Sequence, residues 1–311
     1  MHIQSVLHPA GVEAGIVSHL WWVMFWTCAV VWVAVAGGML LALRRGRART
    51  APGSERVLFR NVLVATGISI VALVWLLFES VLTGRAQENL STQHSLHILV
   101  TGYQWWWDVE YENPTPSLRV TTANELHIPV GRPVIVDLFS GDVIHSLWIP
   151  NLQGKIDLVP GRLNTLTLEA DRPGVYRGQC AEFCGAQHAH MALVVVADPP
   201  DIFERWLTAN RAPAPPPGNP SQVRGKEVFE RGPCAMCHNI TGSLASAHTA
   251  PDLTHVASRS TIGAGTLPNT RGYLAGWIVD PQHIKPGNYM PPTGLSDEEL
   301  QAVLDYLETL K

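Results

Sequence analysis

The sequence is short of charge and of several features that would mark a nucleic-acid or nucleotide protein. Charged residues make up 15% of its 311, and the net charge is −4, so there is no basic field to gather nucleic acid. No segment repeats, no glycine-rich loop suits a nucleotide, and no residues fall into a hydrolytic triad. Lys and Arg are missing from residues 1 to 18, and charge is missing altogether from His19 to Leu43, a run of 25 residues. Charge is scarce again from Val62 to Thr83, where Glu79 is the one charged residue. Each run is long enough to cross a bilayer as a helix, which takes about 20 apolar residues.

What charge there is near these runs is one-sided. The connector from Arg44 to Arg60 holds six arginines (44, 45, 47, 49, 56 and 60) against one acid, Glu55, and the positive-inside rule places it in the cytoplasm. A transmembrane hairpin is therefore expected within residues 1–90, with helices at about 19–43 and 62–83 and the rest of the chain on the periplasmic side. A cleaved signal peptide is the alternative for the first run. Its basic cluster follows the apolar stretch instead of leading it, which favours a retained helix. Trp21, Trp22, Trp26 and Trp32 read as interface and lipid-facing packing, and Cys28 as a helix residue without partners. Glu79 is either a proton-path residue or, being near the helix end, a solvated carboxylate.

After the second run the period changes. Short β-branched and aromatic segments at 96–102, 103–111, 117–122, 125–130, 133–140, 165–170 and 191–198 alternate with Pro, Gly, Asn and Asp turns, which predicts an antiparallel barrel or sandwich. Residues 208–222, TANRAPAPPPGNPSQ, read as a semi-rigid Pro-rich linker. Beyond it, 223–311 carries helical patterns at GKEVFERG and DEELQAVLDYLETL. With 46% hydrophobic residues the chain can fill two soluble cores as well as two spans.

Four of the five cysteines fall into two motifs. His145 lies 35 residues before Cys180, and Cys184, His188 and Met191 follow Cys180 closely in GQCAEFCGAQHAHM. Thiolate, imidazole and thioether suit copper in an electron-transfer site, and a second Cys points to two ions bridged by two thiolates. A disulfide explains neither His nor Met, and structural zinc has little use for a thioether; both stay as alternatives. The second motif is Cys234-Ala235-Met236-Cys237-His238, the pattern of covalent c-type haem attachment. Met290, in GNYMPPTG and 52 residues beyond His238, is the expected second axial ligand, ahead of His248, His255 and His283. Met236 sits inside the attachment motif and cannot reach the opposite haem face.

HSLWIP at 145–150 and the run 178–191 resemble the copper A domain of cytochrome c oxidase subunit II, and 223–311 resembles a class I cytochrome c. The whole chain resembles subunit II of caa-type oxidases. The resemblance implies a multidomain membrane protein made of a two-helix transmembrane hairpin, an all-β cupredoxin Greek-key barrel at 91–207 and an all-α class I cytochrome c domain at 223–311. It implies a binuclear copper A centre, with Cys180 and Cys184 bridging two coppers, His145 and His188 each binding one, and Met191 and the Glu182 carbonyl completing the sites. It also implies haem c on Cys234, Cys237, His238 and Met290, and a magnesium (Mg) or manganese (Mn) ion reached by the Glu182 side chain, with Asp157 as a loop acid that orients the same interface or is merely solvated. Trp105, in Tyr103-Gln104-Trp105-Trp106-Trp107, matches the surface Trp through which electrons come in. An aromatic girdle against membrane or partner is the other reading of that cluster.

The implied partners are oxidase subunit I, subunit III, a soluble or membrane-bound cytochrome c donor and the lipid bilayer of the bacterial inner membrane, with no nucleic acid. The implied activity is electron transfer to a catalytic subunit that reduces O2 to water with proton pumping. A copper A nitric oxide reductase is the alternative, and a membrane-tethered copper carrier or thiol redox protein a third. One departure stands out. GSERVLFRNVL lacks the acidic-plus-Trp pattern that relatives carry before the second span, leaving Glu55 as the sole candidate for that proton-channel role.

Overall fold

The computed structural model describes residues 4–46, 55–88 and 95–311 and divides into two compact units. One is a helical hairpin of α1 (Val12–Gly46) and α2 (Glu55–Glu88). At about 1.5 Å per residue each helix runs roughly 50 Å, more than the ~30 Å hydrocarbon thickness. Both extend beyond the apolar runs because the flanking polar residues continue the helix. Their apolar side chains are exposed on every side, Val30, Trp32, Val35, Phe59, Ile68 and Val71 among them, as befits helices whose solvent is lipid or a partner. Both are long and apolar enough to cross a membrane. Arg47 and Arg49 of the basic connector lie outside the described residues.

The second unit holds the N-terminal tail and everything from residue 95. The tail was expected to belong with the hairpin, but it packs on the β domain: Ala10 N donates to the Asn151 carbonyl, and Asn151 Nδ2 donates to the carbonyls of Ser5 and His8. Ten strands follow, β1 (Leu96–Tyr103), β2 (Trp106–Tyr111), β3 (Val120–Ala123), β4 (Glu125–Pro129), β5 (Val134–Ser140), β6 (His145–Trp148), β7 (Ile156–Leu158), β8 (Asn164–Leu168), β9 (Gly174–Cys180) and β10 (Ala192–Asp198). They form two five-stranded sheets, β3-β2-β1-β5-β8 and β4-β10-β9-β6-β7. Alternate residues of each, such as Ile98, Val100 and Val109 against Leu126, Leu147 and Val195, are buried between the sheets.

Not every neighbour is antiparallel. β1 pairs with β5 and β4 with β10 in parallel, because these strands come from distant segments joined by crossovers, which short turn signals do not reveal. The aromatic run also breaks where a single strand was expected. Tyr103 ends β1, Gln104 and Trp105 form the turn, and Trp106 opens β2 opposite Tyr103. A helix, α3 (Pro200–Ala209), closes the domain by burying Phe203 and Leu207, while Trp206 stacks on His127 at 4.1 Å.

The predicted spacer is narrower than its composition suggests. Thr208 and Ala209 finish α3, and Pro220 begins α4 (Pro220–Arg231), capped by Asn219 accepting from Gln222 N. Between them the chain lies on the C-terminal domain: Ala214 N donates to the Thr241 carbonyl, and His255 Nε2 faces the Ala212 carbonyl. That domain continues through α5 (Arg271–Val279), the short α6 (Pro281–Ile284) and α7 (Asp297–Leu307), with a Ser296/Glu299 capping box. Phe229, Val303, Leu304, Tyr306 and Leu307 form its separate core.

α4 and α7 cross at Gly225, where a Cβ would land on the Ala302 carbonyl. Gly225→Val is expected to destabilise this domain by about 3 kcal/mol or more through overpacking against rigid backbone. Thermal unfolding and covalent haem content should both fall while the β sandwich stays folded; an unchanged melting profile would contradict the close approach.

Candidate metal centre and haem site

β6, β9 and the loop after β9 bring five side chains of the first motif together. Cys180 Sγ and Cys184 Sγ are 3.7 Å apart, too far for a disulfide, whose bond is about 2.05 Å, so both thiols are free. His145 Nδ1 lies 3.9 Å from Cys180 Sγ, and the Glu182 carbonyl oxygen 3.2 Å from it. His188 Nδ1 and Met191 Sδ lie 3.7 and 3.8 Å from Cys184 Sγ. Cys180 and Cys184 are thus two hubs, each with one imidazole and one weak donor. His145, Cys180, Cys184 and Met191 are all buried.

The two thiols are linked electrostatically. The hydrogen bond between the two sulfurs pushes Cys180 down towards thiolate, and the same bond with burial pushes Cys184 up. Burial lowers the His145 pKa, but the hydrogen bonds with Cys180 and Asp142 raise it on balance. Thiolates, imidazoles, a thioether and a carbonyl, with no carboxylate among them, make a donor set that fits copper and not magnesium or calcium.

Asp142 was not foreseen. Its Oδ1 lies 2.8 Å from His145 Nε2, so the imidazole donates that proton outward and keeps Nδ1 aimed at Cys180. The sequence signal was faint, an acid three residues before the His in a loop. Gly102 of β1 lies close against the ring, since a Cβ there would come 3.0 Å from His145. Asp142→Ala is expected to weaken copper retention about 10- to 100-fold, while Asp142→Asn, which keeps an acceptor, loses much less. Chelator competition followed by metal analysis measures this; equal retention in the Ala variant would remove Asp142 from the site.

The Glu182 carboxylate is half exposed and ion-paired with Lys155 at 3.1 Å. Trp105, expected at the surface, is only 7% exposed, because the C-terminal domain covers it: Tyr289 stacks on its ring at 5.5 Å. Its Nε1 donates to the Cys184 carbonyl at 3.1 Å. Trp107 is core, and Trp106 stacks on Tyr103.

In the C-terminal domain Cys234 lies in a turn at Pro233–Met236 and Cys237 follows it, both as free thiols. His238 Nδ1 donates to the Pro251 carbonyl at 2.7 Å, which leaves Nε2 for a metal. Burial lowers its pKa, keeping the ring neutral as a ligand must be. Met290 is half-buried in a loop fixed at its backbone, with its N donating to Asn288 Oδ1 and its carbonyl accepting from Gln282 Nε2. Both ring nitrogens of His255 face carbonyls, which removes that competitor. Buried Arg259 keeps an Nε with no partner among the described residues, and a guanidinium is the complement of a carboxylate such as a haem propionate. The residues present therefore fit a covalent haem.

Fold and donor sets together define a copper-type cupredoxin domain joined to a cytochrome c domain. Residues 114–198 match the model of the periplasmic domain of cytochrome c oxidase subunit II, and 222–311 that of cytochrome c. The chain is 41% identical over 219 residues to cytochrome c oxidase subunit 2 of Alkalihalophilus pseudofirmus, covering 70% of this chain and 62% of that protein. It is 31% identical over 287 residues to cytochrome c oxidase subunit 2 of Bacillus sp. (strain PS3), covering 86% of this chain and 79% of that one. The solved periplasmic domain of subunit II from Bradyrhizobium japonicum is similar at 30% identity and a TM-score of 0.35, over 37% of this chain and 93% of its own. The chain belongs to the cytochrome c oxidase subunit 2 family, and it carries a C-terminal cytochrome c domain.

Proposed function

We propose that the chain is the electron-receiving subunit II of a haem–copper terminal oxidase in a bacterial cell membrane. It takes electrons from a cytochrome c donor onto its own haem c and copper A, and delivers them to subunit I, which reduces O2 to water with proton pumping. The observation that carries this reading is the meeting of both donor sets in one compact unit, with Tyr289 beside Met290 stacked on Trp105, and Trp105 bonded to the Cys184 carbonyl. Copper and haem, when bound, supply reversible one-electron chemistry.

The chain's own contribution is positional. Two sheets hold His145 and the 180–191 loop at fixed separation, burial excludes water from the thiols, and Asp142 keeps His145 Nδ1 inward. The thiols lose their protons as metal binds. Arg44, Arg45, Arg56 and Arg60, at the facing ends of the two helices in sequence, fit a cytoplasmic turn. Exposed Phe183, edge-on to half-buried His188 at 5.8 Å, offers the face for subunit I. Magnesium or manganese at Glu182 belongs to that contact, and its carboxylate would exchange Lys155 for the ion. Subunit III completes the assembly.

Purification of the intact complex from membranes tests the reading. The expected result is a co-purifying large haem–copper subunit, two coppers in this chain and O2 consumption driven by reduced cytochrome c. A partner that reduces nitric oxide instead would move the assignment to the reductase, and a single labile copper with no partner would leave a copper carrier.

A further inference from the structure

The buried cation at the domain junction carries a role that the two redox motifs do not. Lys285 is 3% exposed, and its ammonium donates to three carbonyls: Trp105 at 3.2 Å, His190 at 2.9 Å and Gly263 at 3.1 Å. The first two belong to the copper domain and the third to the cytochrome domain. An ammonium has three N–H donors, so all are spent on acceptors drawn from both sides of the interface. Burial pushes its pKa down to about 8, the mark of a charge taken out of water. A buried ammonium is tolerated only where every donor is satisfied, so the two domains must meet for Lys285 to sit where it does.

The neighbours of Lys285 follow it onto the copper domain. Gln187 Nε2 donates to the Pro286 carbonyl at 2.7 Å, and the Tyr289 hydroxyl donates to Gln104 Oε1 at 2.7 Å. Gln104 Nε2 in turn donates to the Cys184 carbonyl at 2.7 Å, the same oxygen that Trp105 holds. Further bonds lie on the flank, Ala192 N to the Ala264 carbonyl, Ser260 N and Oγ to Glu125 Oε2, and Arg177 Nη1 to the Gly265 carbonyl. The segment that carries Met290 is therefore registered on the copper domain at Lys285, Pro286 and Tyr289, and Lys285 is the one among them whose side chain donates to acceptors in both domains.

We propose that Lys285 is a latch that holds the cytochrome domain in one docked pose on the copper domain, with Tyr289 fixed over Trp105, so that the fused cytochrome is an immobilised donor and Trp105 is closed to external ones. The latch stands on the interface geometry; its consequence for electron flow rests on the proposed function. Lys285 is a positioning residue, since it acts through the placement of Tyr289 and Trp105. A cytochrome merely tethered by a semi-rigid linker would sample its docking face, whereas a latched one spends no time undocked.

The test uses the intact membrane complex in detergent, comparing wild type with Lys285→Met, which keeps the chain length and removes the donors. Amide hydrogen exchange should rise at least tenfold in both faces of the junction, residues 103–107 with 186–192 and residues 260–266 with 283–290, while α4, α7 and the β10 pairing stay protected. After flash reduction of the haem, equilibration with the copper centre should slow at least tenfold with both visible spectra and both potentials unchanged, a pattern that misfolding would not give. Unchanged exchange at both faces overturns the latch. If exchange in α4 and α7 also rises, the milder Lys285→Gln decides on the same criterion. Should wild type show no internal electron transfer at all, the proposed function fails while the exchange data still judge the latch.

Discussion

Replacing Cys184 with Ser is expected to remove both coppers and the purple dicopper spectrum while leaving the c-type haem spectrum intact. Cys184 Sγ touches Cys180 Sγ, His188 Nδ1 and Met191 Sδ within 3.8 Å, so it is the atom through which half of the donor set reaches the other half. A serine hydroxyl is a hard donor with a high pKa and does not replace a thiolate on copper. His188 and Met191 would keep their places on the loop but lose the bridge that joins them to Cys180 and His145. The haem site is spared because Cys234, Cys237 and His238 belong to a domain with a core of its own. Metal analysis and visible spectroscopy together read the result. Retention of two coppers per chain with an unchanged spectrum would sink the bridging assignment.

Much of this site was legible because its chemistry is local. Cys180, Cys184, His188 and Met191 fall within one strand end and one loop, and Cys234 to His238 within one turn, so spacing alone brings them together. His145 was reachable because HSLWIP is itself a recognisable string. What spacing could not give was any relation set by long-range pairing. The turn at Gln104 and Trp105 comes from the β1–β2 register, and a run of aromatics reads equally well as continuous strand. Asp142 acts on His145 only because a loop folds back, and Lys285 finds its three carbonyls at sequence distances of 180, 95 and 22 residues. A lone Lys in a Pro-rich loop looks solvated until its partners are placed. The path of the linker escapes the sequence for a related reason: Pro-rich composition predicts stiffness, but carries no information on whether the chain lies against a neighbour, as Ala212 and Ala214 do.

Met290→Ala is expected to lower the haem potential by a substantial part of the roughly 0.8 V that axial ligands span, and to open the sixth coordination position without blocking attachment at Cys234 and Cys237. Attachment needs the two thiols and His238, whose Nδ1 is held by Pro251 on a separate loop. The Met290 loop should survive the change, because its backbone is pinned by Asn288 and Gln282 and its neighbour Tyr289 by Gln104. Two of the alternative ligands are out of play: His255 has both nitrogens against carbonyls, and Met236 is exposed within the attachment motif. Loss of the thioether removes a soft donor that favours ferrous iron, so carbon monoxide should bind the reduced variant and not the wild type. With the potential lowered the haem becomes a harder acceptor to reduce, so turnover with an external cytochrome c should fall even though Tyr289 still lies on Trp105. A variant that stays six-coordinate at an unshifted potential would mean that another residue holds the iron, and that Met290 serves the loop alone.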